Sequence, residues 1–290
     1  MTITTPMLRG LKLHEPDATL DVYLKLLDKL ATRLTSLTIE NIEHNKAFAR
    51  SYNRSVRNDD IIDDLELATK SIKMGVARQV LTIVKLLPDL FDEIRDFTRR
   101  AIKRSIVHIE TSVSGNVELI GNSSVKLPKI ATLRKSWATE NARLIRSIPD
   151  ELLSKVGRSV SEAVANGESI ESLKKRILQL TDITKRRARV IARDQISKLR
   201  GVLARHESLS RGVLYYEWST SGDEAVRTSH KEMNKKICSW VDVDIYKDSL
   251  NDSSWKKRSS IGGISLHPGQ DILCRCTSFL VAKVEGRAAA

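Results

Sequence analysis

The residues of this chain that could support chemistry are concentrated near its C-terminal end. Cys274 and Cys276 are two positions apart, so both thiols point to the same side if the segment is extended. Together with His267 and His230 they offer four soft ligands, which is the number that a tetrahedral zinc site requires. The residue types therefore predict a zinc site, with Cys238 as a further candidate ligand.

Two other interpretations of these residues remain open. In the first, the cysteines are small buried hydrophobic residues and the histidines bond to loop backbone, because Cys-x-Cys is not the usual Cys-x2-Cys knuckle. In the second, His230 and His267 are the acid and base of a nuclease or other hydrolase, with Arg227 or Arg275 stabilising the developing charge. No acidic pair stands at a spacing that demands such a reaction, so the sequence favours a protein that is not an enzyme.

The chain is strongly basic, with a net charge of +13 and a pI near 9.7. Its densest basic cluster lies on one predicted helix and contains Lys185, Arg186, Arg187, Arg189, Arg193, Lys198, Arg200 and Arg205. Within that span Asp194 is the one acidic residue, and no aromatic residue is present. The cluster predicts electrostatic, sequence-independent contact with duplex DNA, or docking on an acidic protein surface. A solvated helix face explains the same charges equally well.

Composition narrows the fold class. The 290 residues are 41% hydrophobic but only 4% aromatic, which favours helix packing on Leu, Ile, Val and Ala side chains. The longest apolar run, Val76–Leu87, is interrupted by Arg78 and Lys85, so no membrane span is predicted. The first residues lack the pattern of a secretory signal, and three cysteines are too few for a disulfide scaffold. We therefore expect a protein that is cytosolic at synthesis and keeps its thiols reduced.

Hydrophobic spacing predicts a chain of helices up to residue 208. The predicted ranges are 17–50, 59–87, 89–113, 129–148, 150–165, 169–180 and 182–208. Pro88 and Pro149 mark two of the breaks, because proline disrupts a helix interior. Gly167 is the expected C-terminal cap of the helix that ends near 165.

After Gly212 the hydrophobic period changes from about four to two. Residues 213–220 and 277–284 are predicted strands, and 238–264 is a predicted polar loop. Between them, Ser221–Glu224 has the pattern of a capping box that starts a short helix. That helix would carry Asp223, Arg227, His230 and Asn234 on one face, because their spacings are four, three and four. The fold class predicted is thus α+β, with a helical body at 1–180 (sub-boundary at 112–128) and a small lobe at 181–290.

An ordered set of motifs runs through this lobe. It comprises Ala192-Arg-Asp-Gln195, Lys198-Leu199, Trp218, Thr220, Asp223-x3-Arg227-x2-His230-x3-Asn234 and His267-Pro-x5-Cys274-Arg-Cys276. Over about residues 180–280 the set resembles the phage-Mu F-like minor head protein family, also called the phage head morphogenesis domain. The resemblance assigns structural roles to Asp194, Trp218, Asp223, Arg227, Asn234 and Arg275. Two departures are Ala225, where Arg is frequent, and Lys235, where Gly is usual and a turn with positive φ is expected.

The resemblance implies a non-enzymatic component of the virion or procapsid, present in the host cytoplasm during assembly. Such proteins are found near the portal vertex and assist head assembly, genome packaging or genome delivery. The implied partners are the portal protein, the major capsid or scaffolding protein, and double-stranded viral DNA. The resemblance does not imply a membrane partner or a cofactor, so zinc rests on the residues alone.

Overall fold

Four long helices make up most of the protein in the computed structural model. The structure describes residues 7–12, 17–44, 58–112, 117–118, 125–166 and 168–284. The long helices are α1 (Asp17–His44), α2 (Asn58–Thr111), α3 (Ile130–Ala165) and α4 (Ile170–Leu209), and a single turn, α5 (Thr228–Lys231), follows. With the sheet described below, this confirms the predicted α+β fold class.

Each of the helices α2, α3 and α4 corresponds to two predicted helices, so the predicted breaks are wrong. Pro88 and Pro149 lie inside α2 and α3. A proline in a helix interior costs about 3 kcal/mol, but Leu87, Phe91 and Ile148 beside these prolines are fully buried. Burial of such side chains contributes about 1.5–3 kcal/mol each. Packing on both sides of each proline therefore outweighs the local penalty.

Position 181, the third predicted break, lies within α4. Ile177, Thr184 and Ala188 are buried on one side of that helix, so its buried face continues through the expected gap. The predicted cap at Gly167 and the end of the first helix beyond His44 lie outside the described residues.

Within the described residues, a seven-stranded antiparallel sheet forms the second part of the fold. Its strands are β1 (Met7–Lys12), β2 (Val117–Glu118), β3 (Tyr215–Ser219), β4 (Ile237–Ser239), β5 (Ile245–Lys247), β6 (Lys256–Lys257) and β7 (Thr277–Val284). The order is β1-β7-β3-β4-β5-β6, and β2 also pairs with β7. The predicted strands at 213–220 and 277–284 are confirmed, and they pair with Trp218 opposite Ser278. The prediction of loop over 238–264 is wrong, because pieces of two or three residues carry no detectable alternation.

Aromatic residues of the sheet contribute to a buried core beside the candidate site. Its members are Ala204, Leu209, Tyr216, Trp218, Met233, Cys238, Trp240, Tyr246, Cys274 and Cys276. A second cluster joins the C-terminal half of α2 to the sheet through Ile102, Ile106, Val213 and Leu280. Two of the four tryptophans of the chain, Trp218 and Trp240, lie in this core.

The chain divides into two compact units. The sheet unit comprises Met1–Asp17, Phe91–Leu133 and Asp194–Ala290, and the helical unit comprises Ala18–Leu90 and Arg134–Arg193. These units reflect contacts between residues and do not test where the domains divide. The expected division into domains at residue 180 therefore stays a prediction. Among the described residues, no helix has the length and apolar character that crossing a bilayer requires.

Candidate functional site

Three of the four predicted zinc ligands meet in the sheet unit. His230 lies on α5, and Cys274 and Cys276 lie in the segment that leads into β7. The Nδ1 atom of His230 is 3.3 Å from the Cys276 sulfur and 3.6 Å from the Cys274 sulfur. His230 is 2% exposed, Cys274 is 4% exposed and Cys276 is 9% exposed. We call these three residues the His–Cys cluster.

The other nitrogen of His230 is fixed by a carboxylate. Its Nε2 atom is 3.0 Å from Asp271 Oδ2, and Arg227 donates to the same oxygen at 3.0 Å. Burial raises the pKa of Asp271, but the Ile272 N–H, His230 and Arg227 together bring it below the usual value. An ionised Asp271 keeps the proton of His230 on Nε2, so the lone pair of Nδ1 points at the two sulfurs.

The two cysteines interact with each other and with backbone N–H groups. The sulfur of Cys274 accepts hydrogen bonds from the N–H groups of Gly269 and Cys276, at 3.4 Å each. The thiol of Cys276 also donates to this sulfur, which lowers the pKa of Cys274 and raises the pKa of Cys276. The cluster therefore stabilises a thiolate at Cys274 even though the site is buried.

Trp218 closes the cluster from the sheet side. It is fully buried, and its ring meets His230 edge-on with 5.8 Å between the ring centroids. Its indole N–H lies beside the Cys276 sulfur, where it favours the thiolate, and makes no hydrogen bond within normal limits. Trp218 is thus a core residue and not a stacking platform.

Asp194 holds the loop that carries the cysteines. Its Oδ1 accepts the Leu273 N–H at 2.9 Å, and Lys198 pairs with Oδ2 at 2.8 Å. Leu273 has φ of 52°, a left-handed conformation that costs about 1–2 kcal/mol for a residue other than glycine. The carboxylate and the Arg227 bond to the Ile272 carbonyl (2.9 Å) fix this strained loop. Asp194 therefore connects α4 to the cysteine loop instead of facing a ligand.

The predicted helix over 221–234 is largely wrong. Only Thr228–Lys231 is helical, and the capping box at Ser221–Glu224 does not form. Asp223 instead accepts the N–H of Ala225 at 3.1 Å and forms a two-pronged ion pair with Arg275. Such a local side-chain bond to backbone competes with helix formation. Asp223 and Arg227, which were expected on one helix face, instead form separate ion pairs with Arg275 and Asp271.

Asn234 and Lys235 shape the turn that returns to the sheet. The side-chain oxygen of Asn234 accepts the backbone N–H and the hydroxyl of Thr220, at 3.1 and 3.2 Å. Lys235 has φ of 63° and donates its N–H to the Trp218 carbonyl at 2.8 Å. This is the positive φ that the resemblance led us to expect at a position where glycine is usual.

His267, the fourth predicted ligand, lies outside the cluster. Its Nδ1 accepts a hydrogen bond from the Tyr216 hydroxyl at 3.0 Å, and Arg258 donates to the same hydroxyl at 3.1 Å. Burial, followed by the positive charges of Arg258 and Arg205, lowers the pKa of His267 from 6.5 to about 3. A neutral His267 that is bonded in this way is a structural part of the buried core. Among the described residues, the grouped metal ligands are those of the His–Cys cluster.

The low pKa of His267 predicts acid sensitivity. In the unfolded chain this histidine takes up a proton near pH 6.5, whereas in the folded chain it stays neutral down to about pH 3. Stability from this group is therefore complete above pH 6.5 and is lost below it, at roughly 1.4 kcal/mol per pH unit. Urea unfolding should therefore show that the stability of the wild type falls more steeply between about pH 6 and 4 than that of a variant without this histidine.

The matched variants are His267→Gln and His108→Gln. Glutamine at 267 retains an acceptor for Tyr216 but cannot titrate, so the pH slope should become shallower. His108 is exposed on α2, and its replacement should leave the slope unchanged. Equal slopes for His267→Gln and the wild type would contradict the assignment.

The eight residues of the predicted basic cluster differ in their ion pairs and in their exposure to solvent. Arg187 pairs with Glu151 at 2.8 Å, Arg189 with Asp28 at 3.3 Å and Lys198 with Asp194 at 2.8 Å. Arg205 donates to the Trp240 carbonyl at 2.8 Å. Arg200 is partly buried, and so is Lys185. Arg186 and Arg193 remain as exposed cations on one side of α4, so the basic surface is smaller than the sequence suggests.

A second basic face, on α2, was missed by the sequence analysis. Arg99, Arg100, Lys103 and Arg104 are exposed, and the opposite side of the helix buries Ile102 and Ile106 against the sheet. Counted from Arg99, the other three cations lie one, four and five positions further along the chain, so all four are on neighbouring rows of the helix. The signal in the sequence is four cations between positions 99 and 104, a shorter basic run than the one in α4.

Comparison with known proteins gives one family and one relative. Residues 154–279 match the family model of phage Mu protein F like protein. An uncharacterized protein of Haemophilus influenzae (strain ATCC 51907 / DSM 11121 / KW20 / Rd) is 35% identical over 156 residues, which are 53% of this chain and 30% of the relative. The chain thus spans about a third of that protein's length. No solved structure matches.

Proposed function

Because residues 154–279 match the family model of phage Mu protein F like protein, we propose that this chain is a minor head protein of a tailed bacteriophage. It would act without enzymatic activity near the portal vertex and assist head assembly, DNA packaging or genome delivery. The observation that supports this proposal is the family match, which covers α4 and the whole His–Cys cluster. The expected partners are the portal protein and the major capsid or scaffolding protein.

The hydrolase alternative draws little support from the geometry. His230 and His267 are 2% and 5% exposed, and each is bonded to a different protein group. A general acid or base must reach the proton that it moves, and nucleic acid would not reach these nitrogens. Incubation with DNA and RNA should therefore give no cleavage. Cleavage that disappears in His230→Ala would overturn the non-enzymatic assignment.

Mass spectrometry of purified heads and procapsids tests the role itself. The protein should be present in both particles in a small number of copies, and it should co-purify with the portal protein when the two are produced together. Absence from both particles would contradict the proposal.

We further propose that the exposed cations contact packaged DNA without regard to sequence. On α4, Arg186 and Arg193 are exposed seven residues apart, and the face on α2 contributes Arg99–Arg104. Replacing the two α4 arginines with glutamine, or the four α2 cations, should weaken duplex binding. Each lost phosphate contact should make the slope of log affinity against log salt less steep by about 0.9. Filter binding across a salt series, with two unrelated duplexes, provides the measurement.

The double variant Arg78→Gln/Lys85→Gln is the matched control. These two cations are also exposed, on α2, and also seven residues apart, so the variant removes the same charge from another place. It should keep the wild-type salt slope. Unchanged slopes in both test variants, or a strong preference for one duplex, would reject the DNA proposal.

A further inference from the structure

We propose that His230, Cys274 and Cys276 bind a zinc ion through His230 Nδ1 and the two sulfurs. This inference goes beyond the proposed function, which assigns no metal to the protein. It rests on the arrangement of the three ligand atoms, on the groups behind them and on the buried position of the site.

The spacing of the ligand atoms suits a tetrahedral ion. Zinc–sulfur and zinc–nitrogen bonds of about 2.3 and 2.0 Å at a tetrahedral angle place sulfur and nitrogen about 3.5 Å apart. The observed distances from His230 Nδ1 are 3.3 Å to Cys276 and 3.6 Å to Cys274. All three ligand atoms lie within 4.8 Å of one another. A zinc ion would therefore fit with little movement of the side chains.

The groups behind the ligands are those that a metal site needs. A metal-binding histidine usually donates its other N–H to a carboxylate, which fixes the ring and raises its basicity. Here Asp271 accepts from His230 Nε2 at 3.0 Å, and Arg227 donates to the same carboxylate oxygen at 3.0 Å. The N–H groups of Gly269 and Cys276 point at the Cys274 sulfur, as they would toward a thiolate ligand.

Trp218 supplies an independent observation. Its indole N–H is fully buried beside the Cys276 sulfur and makes no normal hydrogen bond. A buried donor without an acceptor is destabilising, and hydrogen bonds to charged groups are stronger than those to neutral ones. A zinc-bound thiolate at Cys276 would be the charged acceptor that this N–H lacks.

The described residues provide three ligands, and the fourth position is left for water. Asp271 cannot fill it while it bonds Nε2, because that atom lies on the opposite side of the imidazole ring from Nδ1. His267 is held by the Tyr216 hydroxyl in a different part of the core. The ion would tie α5 to the segment before β7, two pieces that are 44 positions apart in the chain. Because the ligands are buried and the ion would cross-link these pieces, its role would be structural, and binding would raise the stability of the sheet unit.

Metal analysis and cobalt substitution test the proposal on the full-length protein. Protein purified without chelator should contain about one zinc per chain. After replacement by Co²⁺, thiolate-to-cobalt charge-transfer bands and intense visible bands should report a tetrahedral site with sulfur ligands. Cys274→Ser, Cys276→Ser and His230→Gln should each lose most of the bound zinc and the intensity of these bands.

Three controls separate ligand loss from misfolding. Cys238→Ala removes the third, buried cysteine, which lies outside the cluster, and should retain the zinc. His267→Gln should also retain it, although the sequence made His267 a candidate ligand. Asp271→Asn leaves all three ligands in place, so the cobalt spectrum should persist while zinc affinity falls about 10–100-fold. Circular dichroism confirms that each variant is folded.

A folded wild type that binds neither zinc nor cobalt would overturn the proposal. So would charge-transfer bands of equal strength in the wild type and in both serine variants. The assignment as a head protein does not depend on either result, because it is tested by the composition of the particles.

Discussion

Replacing Arg258 with lysine is expected to lower the free energy of unfolding by about 3–5 kcal/mol. Arg258 is fully buried, yet its guanidinium donates to four oxygens from three parts of the chain. These are the carbonyls of Ile245, Ile264 and Leu266 and the hydroxyl of Tyr216, at 2.8–3.2 Å. The compact ammonium of lysine cannot span them, so buried acceptors would lose their partners.

Urea unfolding, followed by tryptophan fluorescence, measures this loss. Trp218 and Trp240 are both fully buried in the same core and report on its opening. The control is Lys257→Gln at the neighbouring exposed position, which should change stability by less than about 0.5 kcal/mol. If Arg258→Lys stays within about 1 kcal/mol of the wild type, the guanidinium is not the organising group of this loop region.

The second large effect is expected at Gly201, on the buried side of α4. A Cβ atom there would meet the Pro268 carbonyl oxygen well inside the 3.0 Å that real Cβ contacts respect. Because the obstacle is backbone, Gly201→Ala must push the 267–270 turn away from the helix. That turn also carries Gly269, whose N–H bonds the Cys274 sulfur. We expect a loss of about 3 kcal/mol, at the upper end for overpacking.

Gly157→Ala, in α3, is the matched control with the opposite sign. The nearest atom to its Cβ would be a Leu65 methyl at 3.6 Å, an ordinary contact. Alanine should therefore stabilise the helix by about 0.5–1 kcal/mol, because glycine loses more backbone freedom on folding. Equilibrium unfolding followed by circular dichroism compares the two variants. A Gly201→Ala protein as stable as the wild type would show that α4 and the turn are not in close backbone contact.

The zinc proposal and the buried-cysteine interpretation predict different surroundings for the two cysteines. As plain hydrophobic residues, Cys274 and Cys276 need only apolar neighbours. In the structure, however, they face a histidine nitrogen, two backbone N–H groups and an indole N–H. Such polar surroundings are unusual for a hydrophobic core residue, but they are suited to a thiolate.

The proposed zinc ligands show how much of the site could be predicted from the sequence. Cys274 and Cys276 could be paired by their spacing alone, because residues two apart on an extended segment share a side. The choice between His230 and His267 could not be made, since both are far from the cysteines in sequence. It depends on Asp271 and Arg227 turning one imidazole toward the sulfurs while Tyr216 engages the other.

The basic cluster shows the same limit for charge. Eight cations between 185 and 205 could be counted from the sequence, but the sequence did not reveal that Glu151 and Asp28 neutralise two of them. Ion pairs of this kind join residues that are 36 and 161 positions apart. Net charge is a property of composition, whereas exposed charge is a property of the fold.

What the sequence determined by itself is the repeating part of the fold. The long helices, the strands β3 and β7 and the α+β class follow from hydrophobic spacing, which depends on neighbouring residues only. The tertiary structure alone decided that α2 and α3 continue through Pro88 and Pro149, that β4, β5 and β6 form, and that His230 faces the cysteines. Each of these outcomes depends on burial or pairing with distant residues, and such contacts outweigh the local preference of the chain.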